Sequence, residues 1–473
     1  MSADSAADSL TSSFARLRQA SRSDTAVSAG LRQDRLRRLL ALLAAHTDSF
    51  AEAISADFGH RSVHETRLAE VLVVEAGIKH ALRHVEGWMR PRRVRTTLPF
   101  WPGVNRLMPQ PLGIVGIISP WNYPLQLTLA PMVGALAAGN RVMIKPSELV
   151  PRFAALLGRA VAEHFGSAEA VVAEGGADVS QAFAALPFDH LLFTGSPRVG
   201  RLVAAAAAKN LTPVTLELGG KSPAIIDRSA DLAESARRIA FGKLMNAGQT
   251  CIAPDYVLCP RGDAEAFVAH YFSAVERLYG SDPSNPDYTA IIDQAHYDRL
   301  DGLLTDAANK GARIERRAGE NAEWKCLGKF PPCLVLATTD EMLVSREEIF
   351  GPILPVIACE DAEHAIAYIN ARDRPLALYW FGTNGGARDQ ILGQTVAGGV
   401  TINDCLLHVA QEHQPFGGVG ISGSGAYHGE WGFRTFSTMK PVFYRPRLSG
   451  TALLQPPYGE TFARMLALVR RLI

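Results

Sequence analysis

The sequence predicts a two-domain α/β protein built on parallel sheets. Three observations carry this: the length, a long helical opening, and two series in which short apolar strands alternate with helices. A chain of 473 residues exceeds what one ordinary core supports. From about 30 to 90, apolar residues recur at three- and four-residue steps, as in LRQDRLRRLLALLAAHTDSFAEAISADFG, which predicts a helical layer. The rhythm changes at 112, where LGIVGIIS, LTLAPMVGALAAG, RVMIKPS, a helix near 151–165, AVVAE, a helix near 178–186, HLLFTGS and RLVAAAAAKN follow one another. That order predicts βαβ units and a sheet covered on both faces. A second series follows LELGGKSPAIID, with helices near 231–246 and 264–278, then EIFGPILPVIA, a helix near 361–370, ALYWFG and GGVTIND. The Pro-, Gly-, Asn- and charge-rich stretch 279–333 is expected to form surface loops and a helix inside this second unit.

Composition narrows the function classes. Lys and Arg number 48 against 47 Asp and Glu, a formal charge of +1, without the basic excess that nucleic-acid backbones require. The cysteines at 251, 259, 326, 333, 359 and 405 form no CxxC pair and have no histidines at ligand spacing, so neither a disulfide framework nor a metal site is expected, and a reducing cytoplasm fits. The opening MSADSAADSLTSSF has no secretory pattern and is expected to be a frayed or loosely docked tail. Arg37-Arg38 before LLALLAA has the look of a twin-arginine export signal, but its place inside helical periodicity predicts an amphipathic helix. No apolar run reaches the roughly 18 residues of a membrane span. The basic ending FARMLALVRRLI is expected to dock on the protein's own body rather than on a membrane.

Three segments carry chemistry. Phe193–Gly200 (FTGSPRVG) is a strand end, a glycine and a helix entry, where free N–H groups and the helix dipole favour a phosphate, although a plain strand-to-helix turn has the same composition. Asn246–Cys251 (NAGQTC) is a small-residue loop delivering a lone cysteine, which is either inert packing or a nucleophile needing a base or a positive environment. In TPVTLELGGK, Glu217 ends an apolar strand, as a functional carboxylate or as the ion-pair partner of Lys221.

Taken with PWNYP (120–124), KPSE (145–148), LELGGKSP (216–223), GQTC (248–251), EEIFGP (347–352) and PFGGVGISGSG (415–425), the chain resembles the aldehyde dehydrogenase superfamily from about 30 to 445. The resemblance implies a Rossmann-like NAD-binding domain with N-terminal helices at 1–218, including a small oligomerisation hairpin near 104–112. It implies a second α/β catalytic domain at 219–405, then a return to the cofactor domain, an oligomerisation strand and a tail at 406–473. Cys251 matches the nucleophile, Glu217 the base that activates water, and Asn122 the oxyanion-holding amide. Lys145 and Glu148 match adenosine-ribose contacts, Gly195, Ser196 and Gly200 the phosphate turn, and Glu348 and Phe350 the nicotinamide-riboside end.

Expected substrate contacts are Tyr123, Thr250, Ile252 and His408. The Glu148 carboxylate favours NAD and disfavours a 2′-phosphate, with NADP remaining open. The segments ALYWFGTN and AYHGEWGFRTFS resemble the class 3 and coniferyl aldehyde dehydrogenase branch, implying a homodimer and an aromatic aldehyde substrate, with a medium- or long-chain aliphatic aldehyde as the alternative. Retention of Glu217 argues against a relative that passes its thioester to coenzyme A, and retention of Cys251, Glu217 and Asn122 together argues against a non-catalytic homologue.

Overall fold

The computed structural model describes residues 3–316, 321–447 and 453–472. Its strands form three sheets. The first has the strand order 423–424, 214–218, 190–195, 114–118, 141–145, 170–172, parallel except for the two-residue strand at its edge. Its central strands read as continuous apolar runs because helices cover both faces: every residue of Ile114–Ile118 and Arg141–Lys145 is buried. From Ile114–Ile118 the chain adds strands outward on one side and then, from 190, on the other. This reversal opens a crevice at the strands' carboxyl ends, where α/β sheets bind ligands.

The second sheet has the order 313–316, 333–336, 353–359, 256–260, 223–226, 377–381, 399–402, with only Arg313–Arg316 antiparallel. The stretch 279–333 therefore holds more than loops and one helix. Besides the helix Gln294–Asn309 it supplies this edge strand and a short helix, Asn321–Cys326. Charged residues at both ends of the strand suit a solvent-facing edge, which is why its composition looks like a loop. The third sheet is antiparallel and joins distant parts of the chain: Val104–Pro111 lies between Arg92–Val94 and Ser437–Tyr444.

The N-terminus departs from expectation. It is a helix, Ala3–Ser23, whose Leu10, Phe14 and Leu17 are buried in a cluster with Ile114, Phe188 and Leu191 of the first-sheet domain. One apolar stripe at four- and three-residue steps anchors it, and the polar residues around that stripe hide it from compositional reading. Arg37 and Arg38 lie within the helix Ala29–Asp57, capped by Ser28, whose Oγ accepts the Leu31 N–H at 3.2 Å. Arg35 and Arg38 bind the Glu169 carboxylate at 3.0 and 2.8 Å, tying this helix to the loop that leads into the sheet's edge strand. The C-terminal helix Glu460–Leu472 packs against the turn Leu98–Phe100, and among the described residues no helix is long and apolar enough to cross a membrane.

Candidate active site

Four segments far apart in sequence converge on a cavity of about 230 Å³ at the carboxyl edge of the first sheet. The loop after Ile114–Ile118 supplies Trp121 and Asn122, and the strand Val214–Leu218 supplies Glu217. The turn before the strand Tyr256–Pro260 supplies Cys251, and the segment preceding Ile353–Cys359 supplies Glu348 and Phe350.

The Asn122 loop is held from behind by a buried ion pair. Arg61 and Glu70 meet at 2.9 Å, both side chains fully buried. Glu70 also accepts the N–H groups of Leu125 and Gln126 at 2.8 and 3.0 Å, capping the helix Gln126–Ala137, while Arg61 donates to the Asn122 carbonyl at 3.1 Å. The Asn122 Nδ2 donates to the Gln249 carbonyl at 3.1 Å, which sets this amide beside the cysteine loop.

The cysteine loop has an unusual backbone. Asn246, Ala247 and Gly248 adopt φ values of 54°, 51° and 76° in succession. At Gly248 a Cβ would overlap the Gly351 carbonyl, so only glycine fits. Left-handed conformations at non-glycine residues persist where surroundings enforce them, and the bonds from Asn246 Nδ2 to the Asn122 and Gln249 carbonyls, at 2.9 and 3.2 Å, do so here.

Glu217 is 2 % exposed, and neither carboxylate oxygen has a hydrogen-bond partner within bonding geometry. Burial pushes its pKa well above the ordinary 4.5, and the nearby Gly418 backbone N–H offsets this only in part. The sequence left Lys221 open as a partner, but Lys221 pairs with Asp255 instead. Glu348 is raised to about 8, by burial first and then by Asp255. A Cβ at Gly219 would overlap its carboxylate, so the glycine makes room for it. The Cys251 thiol reaches the cavity surface, yet surrounding protein first, and then Glu348 and Glu217, raise its pKa well above the ordinary range. The resting site thus holds a protonated thiol in one cavity with two carboxyl groups, Glu217 and Glu348, both raised above the ordinary carboxylate range by burial.

The remaining expected residues divide by location. Gly195 and Ser196 line the cavity, with Ser196 as N-cap of the helix Pro197–Ala208, its Oγ accepting the Val199 N–H at 3.4 Å. Lys145 and Glu148 lie at the carboxyl end of the neighbouring strand, outside the cavity and 3.9 Å apart. Gly200 is buried inside its helix. The residues fit a dinucleotide: a helix N-terminus and a carboxylate flank the crevice, and the buried Thr194 Oγ1 and Glu348 Oε1 in the cavity lack partners.

Tyr123, Thr250, Ile252 and His408 do not line this cavity. Tyr123 bonds at 2.7 Å to Thr250, within the cysteine loop itself, and Ile252 receives the Tyr379 hydroxyl on its carbonyl. His408 Nδ1 bonds to Thr401 Oγ1 at 2.9 Å, beside Phe416. Residues the motifs did not single out do line it: His296 and Arg299 from the helix Gln294–Asn309, with Trp121, Leu376 and Phe416. Trp121 and Phe416 sit inside quoted motifs, whereas nothing local marks His296 or Arg299.

The profile of the Aldehyde dehydrogenase family matches residues 3–442. The chain belongs to this family. A coniferyl aldehyde dehydrogenase from Pseudomonas sp. strain HR199 is 45 % identical over 98 % of the chain and 96 % of its own length. A Caulobacter vibrioides protein named "Probable coniferyl aldehyde dehydrogenase" is 49 % identical over 91 % of the chain and 90 % of its own length. The substrate-bound structure of Staphylococcus aureus AldH superposes with a TM-score of 0.90 at 35 % identity, covering 97 % of this chain and 99 % of that one. The protein is accordingly an NAD(P)-dependent aldehyde dehydrogenase with the family's Rossmann-like and catalytic α/β units.

Proposed function

We propose that this aldehyde dehydrogenase oxidises an aromatic, coniferyl-type aldehyde to its carboxylic acid, with NAD as the preferred acceptor. The observation that carries the mechanism is the meeting of Cys251, Glu217, Asn122 and Glu348 in one cavity, with both Glu217 oxygens unpartnered. The Cys251 sulfur bonds to the aldehyde carbon as its proton passes to Glu217, and the Asn122 amide and the Cys251 N–H donate to the developing oxyanion. A nicotinamide held by Glu348 and Phe350 would supply the hydride acceptor. Glu217, once deprotonated again, takes a proton from water as that water attacks the thioester. The Cys251 sulfur leaves as the acid forms.

Lys145 and Glu148 would hold the adenosine ribose, Gly195, Ser196 and Gly200 the phosphates, and Glu348 and Phe350 the nicotinamide riboside. The half-exposed Glu148 carboxylate accepts a ribose hydroxyl and repels a 2′-phosphate. Strand pairing between two copies, through the half-exposed edge strand Gly399–Ile402 and the third sheet, would give a homodimer. The substrate class rests on the coniferyl aldehyde dehydrogenases among its relatives. A panel of cinnamyl, benzyl and straight-chain aldehydes, assayed for NADH and NADPH formation at matched cofactor concentration, tests it. Cinnamyl aldehydes with NAD are expected to react fastest. A preference for medium-chain alkanals would overturn the substrate assignment, and faster NADPH formation the Glu148 argument.

A further inference from the structure

The helices Ala29–Asp57 and Pro151–His164 pack against each other along apolar stripes. On the first, Leu39, Leu42, Leu43 and Phe50 are buried, and on the second Phe153, Leu157, Ala160 and Val161. The Phe50 and Phe153 rings meet at 5.6 Å between centroids. Each stripe also takes in a histidine at a three- or four-residue step, where an apolar side chain would continue the contact. His46 falls between Leu43 and Phe50, and His164 follows Ala160 and Val161. The two imidazoles stand edge to face at 6.0 Å.

Glu163 completes the group. One ring nitrogen of each histidine and one carboxylate oxygen lie within 4.8 Å of one another, and His46 Nε2 stands 3.2 Å from Glu163 Oε2. Two ligands of a tetrahedral ion with bonds of about 2.1 Å stand about 3.4 Å apart, so this pair already has the spacing. The third ligand comes into place by about 1 to 1.5 Å of side-chain movement. The Glu163 side chain is 57 % exposed, which gives it room to move.

The rings are also held as metal ligands are held. His164 Nδ1 donates to the Ala160 carbonyl at 3.0 Å, which leaves the lone pair on Nε2, and a metal-binding histidine ordinarily has its other nitrogen committed in this way. His46 rests tilted on the Phe50 ring at 5.9 Å. Arg38, which donates to the His164 carbonyl at 2.8 Å, has its charge taken up by Glu169 and Asp34, at 2.8 and 2.9 Å. A helix-end histidine or a single ion pair accounts for one imidazole, not for two beside one carboxylate. Two nitrogens and one oxygen, with no thiolate, suit zinc or a similar first-row divalent ion better than calcium or magnesium, which take oxygen ligands. Solvent at the exposed Glu163 supplies water for the fourth position.

We propose that His46, Glu163 and His164 bind one divalent transition-metal ion, zinc by its chemistry, which staples the helix Ala29–Asp57 to the helix Pro151–His164. None of the three lines the Cys251 cavity, so the assignment stands apart from the aldehyde reading. The test titrates zinc chloride into the chelator-treated full-length protein by calorimetry and compares Tm with and without the ion. The wild type is expected to bind one ion per chain that His46→Ala and His164→Ala hold at least about tenfold more weakly, since even partners that only orient a ligand are worth that much. Zinc should raise the wild-type Tm, because binding favours the folded state, and leave both variants unmoved. Glu163→Gln, which keeps the shape and removes the anionic oxygen, should weaken binding as well. Affinity is read from the shape of the isotherm, so a smaller folded fraction in a variant does not imitate lost binding. Zinc also binds free thiols, and Cys251→Ala is titrated alongside. Binding that persists at wild-type affinity in His46→Ala and His164→Ala would place the ion on a thiol and overturn the site. Absence of saturable binding to the wild type would overturn it too.

Discussion

The carboxyl edges of the two large sheets look alike in outline and differ in chemistry. At the second sheet, the ends of the strands Pro223–Ile226, Tyr256–Pro260 and Ile353–Cys359 open onto a cavity of about 640 Å³, nearly three times the volume of the one holding Cys251. Its polar side chains are occupied with local structure. Asp227 accepts the Ser229 N–H at 2.9 Å, Asp361 caps the helix Ala362–Asn370, and Asn384 caps the helix Gly385–Gln394. Among the described residues, none of its lining side chains holds a buried unpartnered atom, whereas the smaller cavity holds four: Thr194 Oγ1, both Glu217 oxygens and Glu348 Oε1. Space alone does not mark a reactive site; unpaired buried polarity does.

Variants at the two edges sharpen this contrast. Cys251→Ala should abolish aldehyde-dependent NADH formation, a loss on the order of 10⁴-fold or more, and substantial residual turnover would break the assignment of the nucleophile. Glu217→Gln should lower kcat by roughly 10² to 10⁴-fold and slow the first burst of NADH as well, because Glu217 takes the Cys251 proton before hydride loss and a water proton after it. An undiminished first burst, about one NADH per active site, would confine Glu217 to the hydrolysis step.

The same carboxyl predicts the pH profile. Glu217 works only when deprotonated and burial raises its pKa, so activity should fall as pH drops through a limb lying well above the ordinary 4.5. A wild-type profile flat down to that value would count against it. Asn122→Ala should cost about 10² to 10³-fold in kcat if the amide stabilises the oxyanion, and a change confined to KM would argue against that role. The smallest effect belongs to the other edge. Asp361→Ala removes a helix cap and should cost about 1 kcal/mol in stability by denaturant titration, with kcat/KM held within about twofold. A large kinetic defect there would undo the comparison.

Much of the site was legible as motif and little of it as geometry. Cys251 stood out for its small-residue loop and Glu217 for ending an apolar strand, but the choice between Lys221 and open space for Glu217 needed coordinates, because Asp255, the true partner of Lys221, lies 34 residues along the chain. His296 and Arg299 were passed over because helix Gln294–Asn309 carries no signal that one of its faces meets the cavity. Cysteine and histidine spacing gave no sign of a metal site, because His46 and Glu163 stand 117 residues apart and only the packing of their helices joins them.

What the amino-acid order determined by itself is local: the alternation of strands and helices, the family, and the residue types able to act as nucleophile, base and amide. Each follows from neighbours within a few residues, where periodicity and backbone preference operate. The tertiary structure decided which of those groups meet and which stay unpaired. The Asn122 amide reaches the cysteine loop across 127 residues, and the N-terminal helix finds its place on a sheet formed a hundred residues later. Such contacts depend on how whole layers pack, and burial, which sets the protonation of Glu217 and Cys251, exists only once they have.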